Sequence, residues 1–221
     1  MTRQNVRFRI GDSRSVDWAG GVRAAQDRPV SESGDWRSRR WQATHQKIYD
    51  AAMRLFHDHG FEQASVAQIA AAAGVSVPTF YAHYPSKEHL VMQLPTAEDM
   101  RALVAALPTG LPLRDCVRHA STIWFSTWSP EFRAAQLVRW KLIAGNPSLR
   151  TRAAEFERVT AGLLTDALRA ERGRTLSPAD SVVITAYMAA FTSGVLAWAD
   201  SSGERKLEEL IDEAFNALQQ P

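Results

Sequence analysis

Cys116 and His119 lie three residues apart, a spacing that places a thiol and an imidazole on the same face of a helix. A thiolate beside a base can act as a nucleophile, and the same two side chains can provide half of a zinc site. Nothing in the sequence completes either arrangement: Cys116 is the single cysteine, and there is no Gly-rich phosphate loop or Gly-x-Ser-x-Gly elbow. The sequence therefore predicts a non-enzyme that needs no cofactor or metal, with an enzyme using Cys116 and His119 as the rival interpretation.

Composition and charge set the broad class of the protein. The 221 residues are 45% hydrophobic, enough to build the core of one large or two small domains. A single cysteine and an N-terminus without an apolar signal segment predict a reducing, cytoplasmic location. Residues 1–40 hold nine Arg against five acidic residues, a net charge of +4, and show no sustained apolar period. They are predicted to form a flexible basic arm, and a solubilising tail or a misassigned start is the alternative.

One uncharged segment, SVVITAYMAAFTSGVLAWA at 181–199, is long enough to cross a bilayer. It is rich in Ala, Ser and Thr, it lies between Asp180 and Asp200, and no Lys or Arg flanks it. These features favour a buried interface helix, and the sequence predicts no membrane partner.

Three successive helices are predicted between residues 44 and 84. In the first, THQKIYDAAMRLFHDHGF, apolar residues recur at helical spacing, with Thr44 as the cap and Gly60 as the stop. The second opens on a capping-box pattern of Ser65 and Gln68, and a Gly-containing turn leads to the third. Ser76 is predicted to cap that helix. Two short helices joined by a tight turn behind a longer one predict a helix-turn-helix in an all-α protein, with residues 41–95 as the DNA-binding domain.

The third helix has two different faces when its residues are placed at about 100° each. Phe80, Tyr84 and Val77 are predicted to face the core. A low outer patch remains, flanked on its two sides by an aromatic ring and an imidazole. The patch and its flanks consist of Pro78, Thr79, Ala82, Tyr81 and His83. Such a surface can enter the major groove, where Thr79 and apolar groups meet base edges and thymine methyls.

The stretch DAAMRLFHDHGFEQASVAQIAAAAGVSVPTFYAHYPSKEHL resembles the DNA-binding domain of the tetracycline-repressor (TetR) family over about residues 44–94. The resemblance implies that Ser65 and Gln68 lie near the DNA backbone, that bases are approached by the start of the third helix, and that phosphates are contacted just beyond. The residues implied for bases are Val77, Pro78 and Thr79, and those for phosphates are Tyr81, His83 and Lys87. Two positions depart from the family pattern: Ala82 is small, and Pro95 interrupts what is usually a continuous linking helix.

Residues 41–95 carry a net charge of −1, which is low for a surface that must neutralise phosphates. The preceding basic run supplies the missing charge. We therefore predict that Arg37, Arg39 and Arg40 enter or border the minor groove, as basic N-terminal arms do in other helix-turn-helix domains.

Residues 96–221 are predicted to form a second helical domain for effector binding and dimerisation. Pro and Gly residues divide it into helices, and Ser177, Pro178 and Asp180 combine to start the penultimate one. The aromatic residues predicted to line an effector pocket, or else an ordinary core, are Trp124, Phe125, Trp128, Trp140 and Phe156. Arg139 and Lys141 flank Trp140 and could meet an acidic head group, although solvated faces are the more usual explanation.

The last two helices are predicted to form the dimer interface, because the first is apolar nearly all round and the second has one apolar stripe. The predicted interface residues are Val183, Tyr187, Phe191, Val195, Trp198, Leu207, Leu210, Ile211 and Phe215. The family resemblance implies a four-helix bundle across a two-fold axis, and a dimer can read two half-sites.

Together these features predict a homodimeric transcriptional repressor that binds double-stranded DNA at a palindromic operator. A small apolar or amphipathic effector would release it. A constitutive or architectural DNA-binding protein without an effector remains the alternative.

Overall fold

The computed structural model describes residues 32–173 and 175–219, and within that range the fold is entirely α-helical. This confirms the predicted fold class. The helices are α1 Glu32–His59, α2 Val66–Ala72, α3 Val77–His83, α4 Glu88–Val91, α5 Ala97–Ala106, α6 Leu113–Ser126, α7 Pro130–Ala144, α8 Pro147–Arg172, α9 Pro178–Asp200 and α10 Leu207–Ala217.

Side-chain caps fix several of these helix starts. Before α2, the backbone amide of Gln68 donates to the Ser65 hydroxyl oxygen at 3.2 Å, and the backbone amide of Ser65 donates to the side-chain oxygen Oε1 of Gln68 at 2.8 Å. Ser177 and Asp180 form the same reciprocal pair before α9. Ser76 caps α3, with Pro78 in the first turn. These three predicted caps are confirmed, and each satisfies amide groups that the first helical turn leaves without an intrahelical partner.

The start of α1 differs from the prediction. The helix begins at Glu32 rather than Thr44, and the Thr44 hydroxyl donates within the helix to the carbonyl oxygen of Arg40 at 3.0 Å. The expected flexible arm is therefore wrong for residues 32–40, which are helical. The physical reason is that residues 36–59 contain no Gly or Pro to interrupt a helix, and Arg, Gln and Ala favour one. The remainder of the predicted arm, residues 1–31, lies outside the described residues.

The chain forms two compact units that divide between Gln93 and Leu94. In the N-terminal unit α2 packs against α1 and α3. Its core contains large apolar side chains from all three helices and the turn between the first two. These include Ile48, Phe56, Phe61, Ile69 and Phe80, none more than 3% exposed. Between α4 and α5 the helix is broken around Pro95, as the sequence predicts.

In the C-terminal unit α9 is the central helix, because it packs against α6, α7, α8 and α10. It is also the one described helix long and apolar enough to cross a membrane, by length and composition alone. Its packing against four helices accounts for its apolar character. The contact with α10 is close: a Cβ built on Gly194 would lie 2.9 Å from the Cα of Ile211.

Candidate nucleic-acid interface

The outer face of α3 is exposed and has low relief. Pro78 and Ala82 are exposed, Tyr81 is 53% exposed, and Phe80 on the opposite face is fully buried. Val77 is 37% exposed, so the prediction that it faces the core is wrong. It is the first residue of a seven-residue helix that is anchored one turn later by Phe80. Of the side chains that the sequence predicts to approach bases, Val77 and Pro78 are exposed and Thr79 is half-buried.

Polar groups next to this surface hold the helix ends. The hydroxyls of Thr79 and Ser76 are hydrogen-bonded at 2.7 Å, and Ser76 also accepts from the Thr79 amide. Ser65 and Gln68 are exposed but engaged in their capping box. The predicted DNA roles of these side chains stay predictions. If Thr79 contacts a base, it does so through its methyl group or through a hydroxyl that it shares with Ser76.

Lys87 joins two loops of the N-terminal unit. Its ammonium nitrogen donates to the carbonyl oxygen of Phe61 at 3.0 Å and lies 4.4 Å from the centre of the Phe61 ring. A weaker contact reaches the carbonyl of Glu62 at 3.4 Å. These contacts fix the start of α4 to the turn after α1. The predicted phosphate contact by Lys87 would have to be made by an ammonium that already has these partners.

His83 belongs to a cluster of four rings that was not expected from the sequence. Its ring centre lies 4.7 Å from that of Trp41 and 5.7 Å from that of His45. Trp41 stacks on His45 at 4.8 Å, and His45 stacks on Tyr84 at 4.1 Å. The predicted position of His83 beside the outer patch and its predicted phosphate contact stay predictions. Its ring connects the end of α3 to α1. The i, i+4 spacing of Trp41 and His45 would place both rings on one face of a helix, but Trp41 precedes the helix start predicted at Thr44.

Burial lowers the pKa of His83 below its ordinary value of 6.5, because a partly desolvated imidazole is harder to protonate. Unfolding restores the ordinary pKa, so below pH 6.5 the unfolded chain takes up the proton first. We expect the N-terminal unit to lose stability as the pH falls through this value and on to the lower pKa of the folded form. Thermal unfolding between pH 7.5 and pH 5 measures the loss. His83→Phe keeps a ring at this position and should show a flatter dependence; an equal slope in both proteins would contradict the assignment.

The first turns of α1 present basic and aromatic side chains to solvent. Arg37, Arg39 and Arg40 are exposed, as are Trp36 at 56% and Trp41 at 50%. The guanidinium carbon of Arg40 lies 5.3 Å from the centre of the Trp36 ring. The stacking of Trp41 in the four-ring cluster attaches this part of α1 to the end of α3. The predicted basic residues are thus carried by a helix that is packed to the helix-turn-helix.

In the C-terminal unit the predicted pocket residues belong partly to an aromatic cluster. Phe125 is buried, and its ring centre lies 5.0 Å from that of Trp128 and 5.5 Å from that of Phe191. Trp124, Trp140 and Phe156 are half-buried. The sequence missed the burial of Arg139, which is only 8% exposed and lies on α7 between the exposed Val138 and the half-buried Trp140.

Most of the predicted dimer-interface residues are already covered within one chain. Val183 and Phe191 are half-buried. The other seven are at most 5% exposed: Tyr187, Val195, Trp198, Leu207, Leu210, Ile211 and Phe215. The three on α9 are buried because that helix packs on four others, and the four on α10 because α10 packs against α9, so their apolar surface is used inside the unit. The exposed surface of α9 lies instead along Val182, Thr185 and Ser193.

Cys116 and His119 contact the backbone of their own segment. Cys116 is buried with its sulfur 3.8 Å from the carbonyl oxygen of Leu111. The His119 ring nitrogen Nδ1 lies 2.8 Å from the carbonyl oxygen of Asp115. Among residues 32–173 and 175–219, no group of three or more His, Cys, Asp or Glu side chains could hold a metal ion.

Comparison with known proteins gives two family matches along the chain. Residues 48–94 match the family described as bacterial regulatory proteins, tetR family, and residues 111–221 match the MftR C-terminal domain. The HTH-type transcriptional repressor AcnR of Corynebacterium diphtheriae is 26% identical over 172 residues, 76% of this chain and 87% of the relative. The putative mycofactocin biosynthesis transcriptional regulator MftR of Mycobacterium tuberculosis is 30% identical over 118 residues, 51% of this chain and 57% of the relative.

Among solved structures, the fold is similar to that of Thermus thermophilus FadR, a TetR-family transcriptional repressor in complex with lauroyl-CoA. The identity is 22% and the TM-score 0.47, with 79% of this chain and 93% of that chain covered.

Proposed function

The chain belongs to the TetR family of DNA-binding transcriptional regulators, and from that premise we propose that it is a repressor released from a two-fold symmetric operator by a small amphipathic effector. The observation that carries the DNA-binding part is the outer face of α3. Pro78, Ala82 and Tyr81 are exposed together, while the buried Phe80 holds the helix in place. A helix with such a low surface can enter the major groove closely enough for base contacts.

Positive charge for the DNA backbone comes from α1. Counterion release supplies much of the affinity of such proteins, yet residues 41–95 carry a net charge of −1. Arg37, Arg39 and Arg40 are exposed at the start of α1, and the four-ring cluster links that helix to the end of α3. We assign these arginines to phosphates or the minor groove beside the recognition helix. In the same proposal Tyr81 contacts a phosphate, because its exposed hydroxyl lies next to the outer patch.

Two copies of the chain are needed to read two half-sites. The exposed stripe of Val182, Thr185 and Ser193 on α9 offers the surface for a second copy, because a row of small and apolar side chains permits close helix packing. Val182 is 68% exposed in a single copy, so a partner packed there would remove apolar surface from water. Val183, half-buried, borders this stripe, whereas Phe191 stacks on Phe125 inside the unit and is left out of the proposed interface.

Release from DNA requires that the effector bind one conformation of the protein better than another. An effector that prefers a form with wrongly spaced recognition helices lowers DNA affinity by linkage, and only this difference in affinity can do so. The aromatic cluster around Phe125 and Trp128 is the proposed apolar part of the effector site.

Selection of bound duplexes from a randomised library by the purified full-length protein tests the function. We expect an enriched motif with two-fold symmetry and half-sites about 10 base pairs, or 34–36 Å, apart. The reason is that a symmetric dimer presents two copies of α3 to successive major grooves. No enriched motif, together with binding that is lost steeply as salt rises, would favour the architectural alternative.

A variant that combines Arg37→Gln, Arg39→Gln and Arg40→Gln removes the three charges and tests their role. It should select the same motif, but with weaker binding and a salt dependence shallower by up to about 0.9 log units per lost phosphate contact. An unchanged slope would contradict the role assigned to the start of α1.

A further inference from the structure

Polar side chains are buried beside the aromatic cluster of the C-terminal unit. Gln136 is 4% exposed and Arg139 is 8% exposed, both on α7. Trp128 Nε1 and Gln136 Oε1 are shielded from solvent and have no hydrogen-bond partner within the part of the chain that the structure describes. A buried donor or acceptor without a partner is costly, whereas an apolar side chain of the same shape is not. A ligand or an ordered water could supply the partner that these two atoms lack.

The polar groups follow one another along one side of α7. The Trp128 ring lies 5.4 Å from that of Phe132, between centres, and Phe132 precedes Gln136 by one helical turn. Arg139 comes three residues after Gln136, a spacing that makes their side chains neighbours on the helix surface. Gln136, Arg139 and Ile143 are the buried residues of α7, which packs against α8 and α9. An amide oxygen and a guanidinium thus lie on the inner side of α7, and the indole of Trp128 contacts the first turn of that helix through Phe132.

Apolar rings continue from the indole end of this row. Trp128 contacts Phe125 with ring centres 5.0 Å apart and Trp198 with centres 6.5 Å apart. Phe125 in turn stacks on Phe191 of α9. At the other end, the guanidinium carbon of Arg139 lies 5.6 Å from the centre of the Trp140 ring. A ligand here would meet aromatic surface along its body and hydrogen-bonding groups at one end.

We propose that Trp128, Gln136 and Arg139 bind the polar head of an amphipathic molecule that carries an acidic oxygen next to an O–H or N–H donor. Trp128 Nε1 and the Arg139 guanidinium donate to the acidic oxygen, and Gln136 Oε1 accepts from the donor. The apolar body lies against Phe125 and the rings around it. This inference rests on the proposed function, because it names the chemical class of the effector that releases the repressor.

A series of ligands that share a ten-carbon chain and differ in the polar head group tests the assignment. 2-Hydroxydecanoic acid, decanoic acid, methyl decanoate and 1-decanol are titrated into full-length protein without DNA, and binding is followed by calorimetry. We expect the hydroxy acid to bind most tightly and the ester and alcohol at least about tenfold more weakly, since a site built to hydrogen-bond a group rejects analogues that lack it. Equal affinity for all four heads, or no binding of any of them, would overturn the proposal.

Variants separate a ligand-binding role from a structural one. Gln136→Leu removes the unpaired acceptor, so we expect an unfolding midpoint equal to or above that of the unchanged protein. The preference for the hydroxy acid over decanoic acid should disappear. Arg139→Met should remove the preference for acids over the ester. Lys141→Met removes the same charge from an exposed position of the same helix and should keep both preferences. Lower midpoints with unchanged preferences, or a crystal structure with only a water between Trp128 and Gln136, would show that the groups are structural.

DNA affinity, measured separately with and without the tightest probe, distinguishes the two proposals. Binding that depends on the head group but leaves DNA affinity unchanged supports the site and contradicts release by this ligand class. Release from DNA by amphiphiles regardless of their head supports the proposed function and overturns the site.

Discussion

Replacing Ala82 by glutamate should reduce operator affinity by about 100-fold or more, without loss of stability. Ala82 is exposed on the outer face of α3, where the proposed function places the floor of the major groove. A carboxylate there faces the negative charge of the duplex, and like charges across an interface cost several kcal/mol. Each 1.4 kcal/mol lowers the affinity about tenfold. Alanine and glutamate have similar helix propensities, so the fold should tolerate the change. Binding is measured by titration of labelled operator at one stated salt concentration.

Two control variants separate the effect of a charge at position 82 from the effects of side-chain size and of the protein's net charge. Ala82→Gln has the size of glutamate without the charge, so the difference between the two variants isolates the electrostatic effect. Ala154→Glu makes the same change in net charge at an exposed position of α8 and should bind nearly as well as the unchanged protein. If the glutamate and glutamine variants at position 82 both retain full affinity, the outer face of α3 does not enter the groove.

The second large effect concerns Gly194 in the middle of α9. A glycine within a helix is normally less favourable than alanine by about 0.5–1 kcal/mol. At Gly194 the sign should reverse, because an added Cβ would lie 2.8 Å from Ile211 Cγ1 and 2.9 Å from its Cα. The backbone of α10 has to move, so we expect Gly194→Ala to lower the free energy of unfolding by about 1–3 kcal/mol and Gly194→Val by more. Denaturant unfolding measures the change.

Gly162 in α8 is the matched control, since an added Cβ there would have no neighbour within 4 Å. Gly162→Ala should therefore raise the free energy of unfolding by about 0.5–1 kcal/mol. Equal effects of the two alanine substitutions would show that the approach of α9 to α10 is looser than the structure indicates. If Gly194→Ala also weakens dimerisation, the position of α10 contributes to the surface that meets the second copy.

Helix starts in this chain are predictable because their signals are local. The reciprocal cap of Ser65 and Gln68 depends only on residues three apart, and Ser177 with Asp180 repeats it. The start of α1 was mispredicted for the opposite reason. Thr44 offered an equally local cap signal, and one contact that distinguishes the longer helix, between Trp41 and His83, joins residues 42 positions apart.

In the candidate sites, too, features set by local sequence were predictable and features set by packing between helices were not. The outer face of α3 follows from helical periodicity, so Phe80 inside and Ala82 outside were predictable. The burial of Arg139 was not, because a basic residue in an amphipathic helix is normally solvated, and only the packing of α7 against α8 and α9 shows that its side chain is enclosed. The dimer surface was overestimated because an apolar helix can be covered by its own chain as well as by a partner.

The length of α1 has a consequence for how the arginines meet DNA. From Glu32 to His59 the helix is unbroken and about 42 Å long. The angle around the helix axis between the arginines and the buried residues near its other end is therefore constant. Adding or removing one residue between them would rotate Arg37, Arg39 and Arg40 by about 100°, more than a quarter of a turn, while α3 stays in place. In the proposed complex, the side of the duplex that these charges meet is thus set by helical phase, and not by the reach of a tether.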